Sequence, residues 1–398
     1  MISLYIHIPF CVKKCLYCDF LSFPCNSDEL KEKYIESLCN EIELTEVSDL
    51  DVGSIFIGGG TPSILKPSYI ERILDKIRQK YRLSIATEIS LECNPGTASA
   101  ENLIQLYRMG INRLSIGLQS TIDDELKVLG RIHNYEDFVN TFNWAREAGF
   151  ANINVDIMSA LPGQSLENYK NTVTNVVKMH PEHVSAYSLI VEENTVFNSI
   201  YGDDENVANN IDDRILAKLK NLQLPDEDTE RKMYYLTDEL LSQAGYHRYE
   251  ISNYALDGFE CKHNKVYWTG GDYVSFGIGA SSYYKNVRYN NISDINSYIS
   301  AWSKKKLPDE KDIYTDIMPL SEKDRMEEYM FVGLRLVKGV SIRRFEDIFG
   351  ISMDEVYGDT LDKLSAQGVI VRENDTLRLT KRGIDVSNAV LCEFLLDN

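Results

Sequence analysis

The sequence predicts an α/β protein: βαβ units arranged as an open sheet or part of a (β/α) barrel, then a sheet extension, then a small winged-helix-like C-terminal domain. Three observations predict it. Short β-rich runs recur at 3–8, 54–57, 88–92, 113–117, 152–157 and 183–190, each apolar enough to be buried on both faces. Between them apolar residues return with helical period at Leu30, Tyr34, Ile35, Leu38 and Ile42, at Ile70, Ile73, Leu74 and Ile77, and at Leu103, Ile104 and Tyr107 before Gly110. The chain has 398 residues, 43% hydrophobic and 26% charged, which suits a globular protein with a sizeable core rather than a fibrous, disordered or membrane-spanning one.

Strand and helix in alternation imply parallel strands, and such folds bind ligands at the carboxyl ends of their strands. The chemistry-bearing residues fall there. Cys11 follows the first run, Gly58, Gly59 and Gly60 the second, Asn94 and Pro95 the third, Gln119 the fourth, and 161–163 the fifth. After 190 the pattern breaks into the acidic stretch 201–230, with Asp203, Asp204, Glu205, Asp226, Glu227 and Asp228, which is expected as a solvated loop and helix edge. A helix is expected at 231–245, and the Gly- and Tyr-rich 246–289 as a sheet extension; a Lys-rich connector, 304–306, precedes the last part. From 321 three helices and two short strands, 369–373 and 377–380, give the winged-helix arrangement. The expected domains are 1–230, 231–315 and 316–398.

Lys and Arg number 42 against 61 Asp and Glu, so the net charge is −19 and repels nucleic-acid phosphates and anionic lipid headgroups. The C-terminal domain is therefore expected to pack or bind a protein partner rather than DNA, and any anionic ligand must be held locally. No apolar run approaches a membrane span, and the N-terminus carries neither a basic n-region nor a small-residue cleavage site. A cytoplasmic location without a membrane span is expected; peripheral membrane contact is left open.

Of the eight Cys, three lie within eight positions, as Cys11-x3-Cys15-x2-Cys18. Thiolates so close on one loop point to metal. Zinc sites want four protein ligands, whereas three Cys around a four-iron cluster leave one iron open for a substrate or cofactor. His7 lies inside the first strand and is expected to orient or pack rather than ligate. Cys25, Cys39, Cys93, Cys261 and Cys392 are scattered and expected as plain thiols.

The Cys motif, with Tyr17 before its last Cys, resembles the radical S-adenosylmethionine (SAM) superfamily, in which the open iron chelates SAM and an electron from the cluster cleaves it to a 5′-deoxyadenosyl radical. The resemblance narrows to the HemN/HemW subfamily, oxygen-independent coproporphyrinogen III oxidases and their heme-chaperone relatives, on blocks at 5–11, 58–63, 91–95, 114–120, 129–131 and 154–156. It implies a partial (β/α)6 barrel. It also implies that Cys11, Cys15 and Cys18 hold a [4Fe-4S] cluster, Tyr5 contacts SAM, Tyr17 packs on the adenine, Gly59, Gly60 and Thr61 bind the methionine part, and Glu92 holds the ribose. Gln119, Arg131 and Asp156 match residues that hold a second SAM in the oxidases; the plainer reading of this trio is a buried hydrogen-bond network.

Three features favour the chaperone branch. Phe20 stands where the oxidases carry a further Cys. The chain starts four residues before Tyr5, whereas the oxidases have a long N-terminal extension. His263-Asn264-Lys265-Val266-Tyr267-Trp268 matches the chaperones' H-N-x-x-Y-W motif, which implies heme contact through His263, Tyr267 and Trp268. The resemblance thus implies a heme chaperone that binds the cluster, SAM and heme, passes heme to acceptor proteins, accepts electrons from a flavodoxin- or ferredoxin-type donor, and lacks coproporphyrinogen oxidase activity. The alternatives are the oxidase itself and an iron–sulfur protein with no SAM chemistry.

Overall fold

Runs of Ile, Val and Leu become strands covered on both faces, because helices pack on the outside of the sheet and a polar-lined interior fills its inside. A computed structural model describes residues 1–202, 213–304 and 306–396. Six parallel strands follow the chain in order: β1 (Ile2–Ile8), β2 (Asp51–Gly59), β3 (Arg82–Cys93), β4 (Arg113–Gln119), β5 (Ile153–Ser159) and β6 (His183–Ser188). Their register aligns Tyr5 with Phe56, Glu92 with Ser115 and Asp156 with Ser185. Between them run the helices Asp28–Leu44, Pro67–Lys80, Ala100–Arg108, Tyr135–Ala148 and Leu166–Met179. Ser27, Ser99 and Ser165 cap three of these, and Asn134 with Asp137 forms a reciprocal capping box on a fourth.

The sheet is extended at both edges rather than at one. β7 (His247–Arg248) and β8 (Asn253–Ala255) add antiparallel strands beside β6. β9 (Tyr273–Phe276) lies parallel to β1 as a seventh parallel strand, and β10 (Ser281–Tyr284), β11 (Val287–Asn291) and β12 (Tyr314–Pro319) continue antiparallel from it. The twelve-stranded order is β12-β11-β10-β9-β1-β2-β3-β4-β5-β6-β8-β7, whose ends do not pair among the described residues, so the barrel is partial, as expected.

Two expectations are corrected. The stretch 246–289 is not all strand, because the helix Lys262–Trp268 interrupts it. The helix expected at 231–245 begins earlier, as Glu227–Gln243: exposed Asp226 caps it and Glu227 and Asp228 form its first turn, the expected helix edge, where carboxylates suit the helix dipole. A further helix, Asp213–Lys220, occupies part of the acidic stretch. Asp203, Asp204, Glu205 and Lys305 lie outside the described residues.

The C-terminal part has the expected winged-helix order. Helices Glu322–Gly333, Ile342–Phe349 and Met353–Ala366 pack with β13 (Val340–Ser341), β14 (Ile370–Glu373) and β15 (Thr376–Leu379), joined in the order β13-β15-β14. Met330, Phe345, Tyr357 and Leu377 belong to a core of its own, separate from the barrel's. No helix among the described residues is long and apolar enough to cross a membrane.

Candidate functional site at the carboxyl ends of the strands

The loop carrying the three Cys is closed at its base. Residues Phe10–Cys11 pair with Phe23–Pro24, and Leu16 is held from both sides, its N–H donating to Leu129 and its carbonyl accepting from Phe197. His7 ties this loop to β1. Its Nε2–H donates to the Leu21 carbonyl at 2.8 Å, and Nδ1 accepts from the Tyr5 hydroxyl at 3.1 Å. Burial lowers its pKa, so the neutral ring that this pattern needs is the favoured form. With both ring nitrogens engaged in this way, His7 orients the loop.

Cys11, Cys15 and Cys18 are free thiols that line one pocket with Tyr17, Gly59, Gly60, Thr61, Glu92, Gln119, Arg131 and Asp156. Eleven of the fifteen residues singled out in the sequence thus meet in one place. Among the described residues no three His, Cys, Asp or Glu converge on a single-ion site.

A polar network surrounds the thiols. Arg131 donates to Cys15 Sγ at 3.5 Å, to Asn94 Oδ1 at 2.8 Å and to the Gly117 carbonyl; Asn94 Nδ2 donates to Thr61 Oγ1 at 2.8 Å; and Thr61 Oγ1 donates to Cys11 Sγ at 3.6 Å. One connected chain therefore links two of the three thiols. Asn94 is the member to which the sequence assigned no role, flagging it by its place after a strand and within the 91–95 block. Glu92 accepts from the Gly59 N–H at 2.9 Å, and its pKa is pushed up to about 7 by burial, with Asp156 adding to it. Asp156 is likewise raised by burial; Asn154 Nδ2 donates to it at 2.7 Å. Gln119 ends β4 with φ +72°, a left-handed conformation that costs a non-glycine residue about 1 kcal/mol or more and occurs mostly where surroundings impose it.

The glycine run meets a demand beyond close ligand approach. Gly59 has φ +111°, and a Cβ on Gly60 would come within 2.8 Å of the Phe10 carbonyl and 2.9 Å of that of Ile8. Here Gly60 and Thr61 donate their N–H groups to Ile8 and Phe10 at 2.7 and 2.8 Å, so the end of β2 crosses tightly over the start of the Cys loop.

The other four residues lie elsewhere. Tyr5 is below the pocket, its ring centroid 6.3 Å from that of Phe56. His263 is 1% exposed, with Nδ1 3.0 Å from Ser54 Oγ and Nε2 2.8 Å from the Tyr267 hydroxyl. Both ring nitrogens of His263 are thus engaged in hydrogen bonds in this arrangement. Tyr267 and Trp268 line a separate cleft at the opposite end of the barrel.

This fold and pocket define a radical SAM protein: the sequence profile of the Radical SAM superfamily matches residues 5–176 and that of the HemN C-terminal domain 320–386. Proteins named heme chaperone HemW are similar along the whole chain, at 37% identity in Lactococcus lactis, 36% in Bacillus subtilis and 32% in Escherichia coli. The alignments cover 99–100% of this chain and 98–99% of the relatives, and the chain belongs to the HemW family. The solved coproporphyrinogen III oxidase HemN of Escherichia coli shares the fold, with a TM-score of 0.80 at 20% identity over 99% of this chain and 90% of that one. Membership in the radical SAM superfamily implies a [4Fe-4S] cluster and SAM, and the three-thiol pocket described above fits that donor set.

Proposed function

We propose that the chain is a heme chaperone of the cytoplasm, binding a [4Fe-4S] cluster, SAM and heme and passing heme to acceptor proteins. The observation that carries the cluster and SAM part is the meeting in one pocket of Cys11, Cys15 and Cys18 with Glu92, Gly59 and Gly60. In this reading the three Cys hold three irons, Thr61 and Arg131 donate to the thiolates, Tyr17 flanks the adenine, and Glu92 accepts from the ribose hydroxyls. Gln119, Arg131 and Asp156, which line the same pocket, are the candidates to hold a second SAM, and Tyr5 acts from below through His7. The cluster and SAM together supply a means of generating a 5′-deoxyadenosyl radical. Phe20, 66% exposed on the pocket rim, offers no thiol there.

Heme enters the proposal from the printed names of the full-length relatives and from the H-N-x-x-Y-W segment at 263–268. The electron donor is of flavodoxin or ferredoxin type, and the strong negative charge argues against nucleic acid as a partner. Anaerobic reconstitution followed by heme titration tests the proposal. Expected are about four iron and four sulfide per chain, lost when Cys11, Cys15 and Cys18 are replaced together, and about one heme with a shifted Soret band. Stoichiometric zinc in protein purified without oxygen, or no saturable heme binding, would overturn it.

A further inference from the structure

Below the barrel a cleft of about 500 Å³, within the range of small-molecule sites, opens between the helix Lys262–Trp268, the β9–β11 edge and two helices of the C-terminal domain. Its place follows from the register. His263 contacts Ser54 near the start of β2, and the Asp272 carbonyl accepts from the Ser3 N–H at the start of β1, whereas the Cys loop leaves the far end of β1. At about 3.3 Å per residue, the length of β1 puts roughly 20 Å between the two.

The walls of this cleft are aromatic, with Trp268, Tyr283, Tyr329 and Phe349 among them. Five charged groups also line it: Arg288, Arg325, Arg344, Asp272 and Glu328. Arg288 pairs with Glu328 at 3.0 Å, and Asp272 accepts from the Lys285 N–H at 3.1 Å. Arg325 lies over the Phe349 ring, 5.4 Å from its centroid, and Arg344 makes a long 3.4 Å contact with the Thr269 carbonyl and lies near Tyr329. Among the described residues neither guanidinium meets a carboxylate. In a chain with 61 acidic residues against 42 basic ones, two such arginines in one aromatic cleft mark a place for an anionic, flat ligand.

We propose that this cleft holds the heme of the function above, its macrocycle against the aromatic walls and its two propionates on Arg325 and Arg344. The placement rests on the heme-binding reading. Two carboxylates must find local cations against a net charge of −19, and the guanidinium fork matches their geometry. Tyr267 joins the cleft to the barrel interior, since its ring lines the cleft while its hydroxyl reaches His263. Heme held here is far from the Cys pocket, which suits cargo rather than a substrate of the radical.

The test is a titration of heme and of its dimethyl ester, whose propionates are uncharged, into the full-length wild type and an Arg325→Gln/Arg344→Gln double variant. Expected is a loss of heme affinity of about 10-fold or more in the variant, as for charge-assisted hydrogen bonds, with ester affinity equal in the two proteins. Equal heme affinity in the two, or an equal loss for heme and ester, would overturn the placement and leave the chaperone reading standing. A wild type that binds no heme would overturn the reading on which the placement rests.

Discussion

Glu41 and Glu92 show at the residue scale how the same burial serves structure in one place and a ligand in another. Both have pKa values pushed up to about 7 by desolvation. Glu41 accepts three hydrogen bonds inside the protein, from Asn291 Nδ2 at 2.6 Å, the Gly277 N–H at 2.8 Å and the Tyr298 hydroxyl, whereas Glu92 faces a pocket with one internal bond from Gly59. A carboxyl whose folded pKa lies above the unfolded value of about 4.3 holds its proton longer in the native state, so stability declines as pH rises from about 4.5 through 7. Wild type should lose this increment between pH 5 and 8 relative to Glu41→Gln, a difference that urea unfolding midpoints across that range would reveal; parallel curves would refute it. For Glu92 the relevant readout is ligand affinity. Glu92→Ala in reconstituted protein should weaken SAM by about 1.5 to 3 kcal/mol, the range for a hydrogen bond to a charged group, and calorimetry giving equal affinities would exclude the ribose role.

At the scale of the element, the helix Lys262–Trp268 shows why part of the molecule was hidden in the sequence. Its residues include β-branched and aromatic side chains, and seven positions give little helical period to detect. Its own N-cap, Cys261, makes no side-chain cap bond. The cap comes instead from Glu88 on β3, which accepts the N–H groups of Lys262 and His263 at 3.1 and 3.2 Å across some 175 residues of sequence. Glu88→Ala should therefore destabilise the protein by about 1.5 to 3 kcal/mol in denaturant titrations, since the lost bonds are to a carboxylate. His263→Ala removes one buried partner of Ser54, which keeps its contact with the Ser3 hydroxyl, leaves the Tyr267 hydroxyl without its buried partner and opens a cavity, and should cost about 2 to 4 kcal/mol with no heme present. Unchanged unfolding of that variant would show that His263 is not the structural plug described here. Weaker heme binding by it would accordingly not identify an iron ligand.

Across the whole molecule, what was legible in the sequence is what local pattern determines. The six parallel strands, the first three helices between them and the winged-helix order appear as periodicity and turn chemistry, and the three Cys as spacing. Strand ends were read short, as with 54–57 inside Asp51–Gly59, because polar residues that pair at a strand's margin carry no apolar signal. The edge to which an extension strand attaches was not legible, since β9 joins β1 from more than 260 residues away by pairing alone. In the pocket, Asn94 and the network through Arg131 emerge only when β3 and β4 are neighbours. The shared fold with a coproporphyrinogen III oxidase makes one comparison decisive, because similar architecture serves a reaction there and is proposed to serve heme transfer here. The most direct measurement is incubation of the anaerobically reconstituted protein with coproporphyrinogen III, SAM and reductant, followed by product analysis. The account predicts that coproporphyrinogen III remains unconverted while the same preparation binds heme; its conversion to protoporphyrinogen IX at a catalytic rate would contradict it.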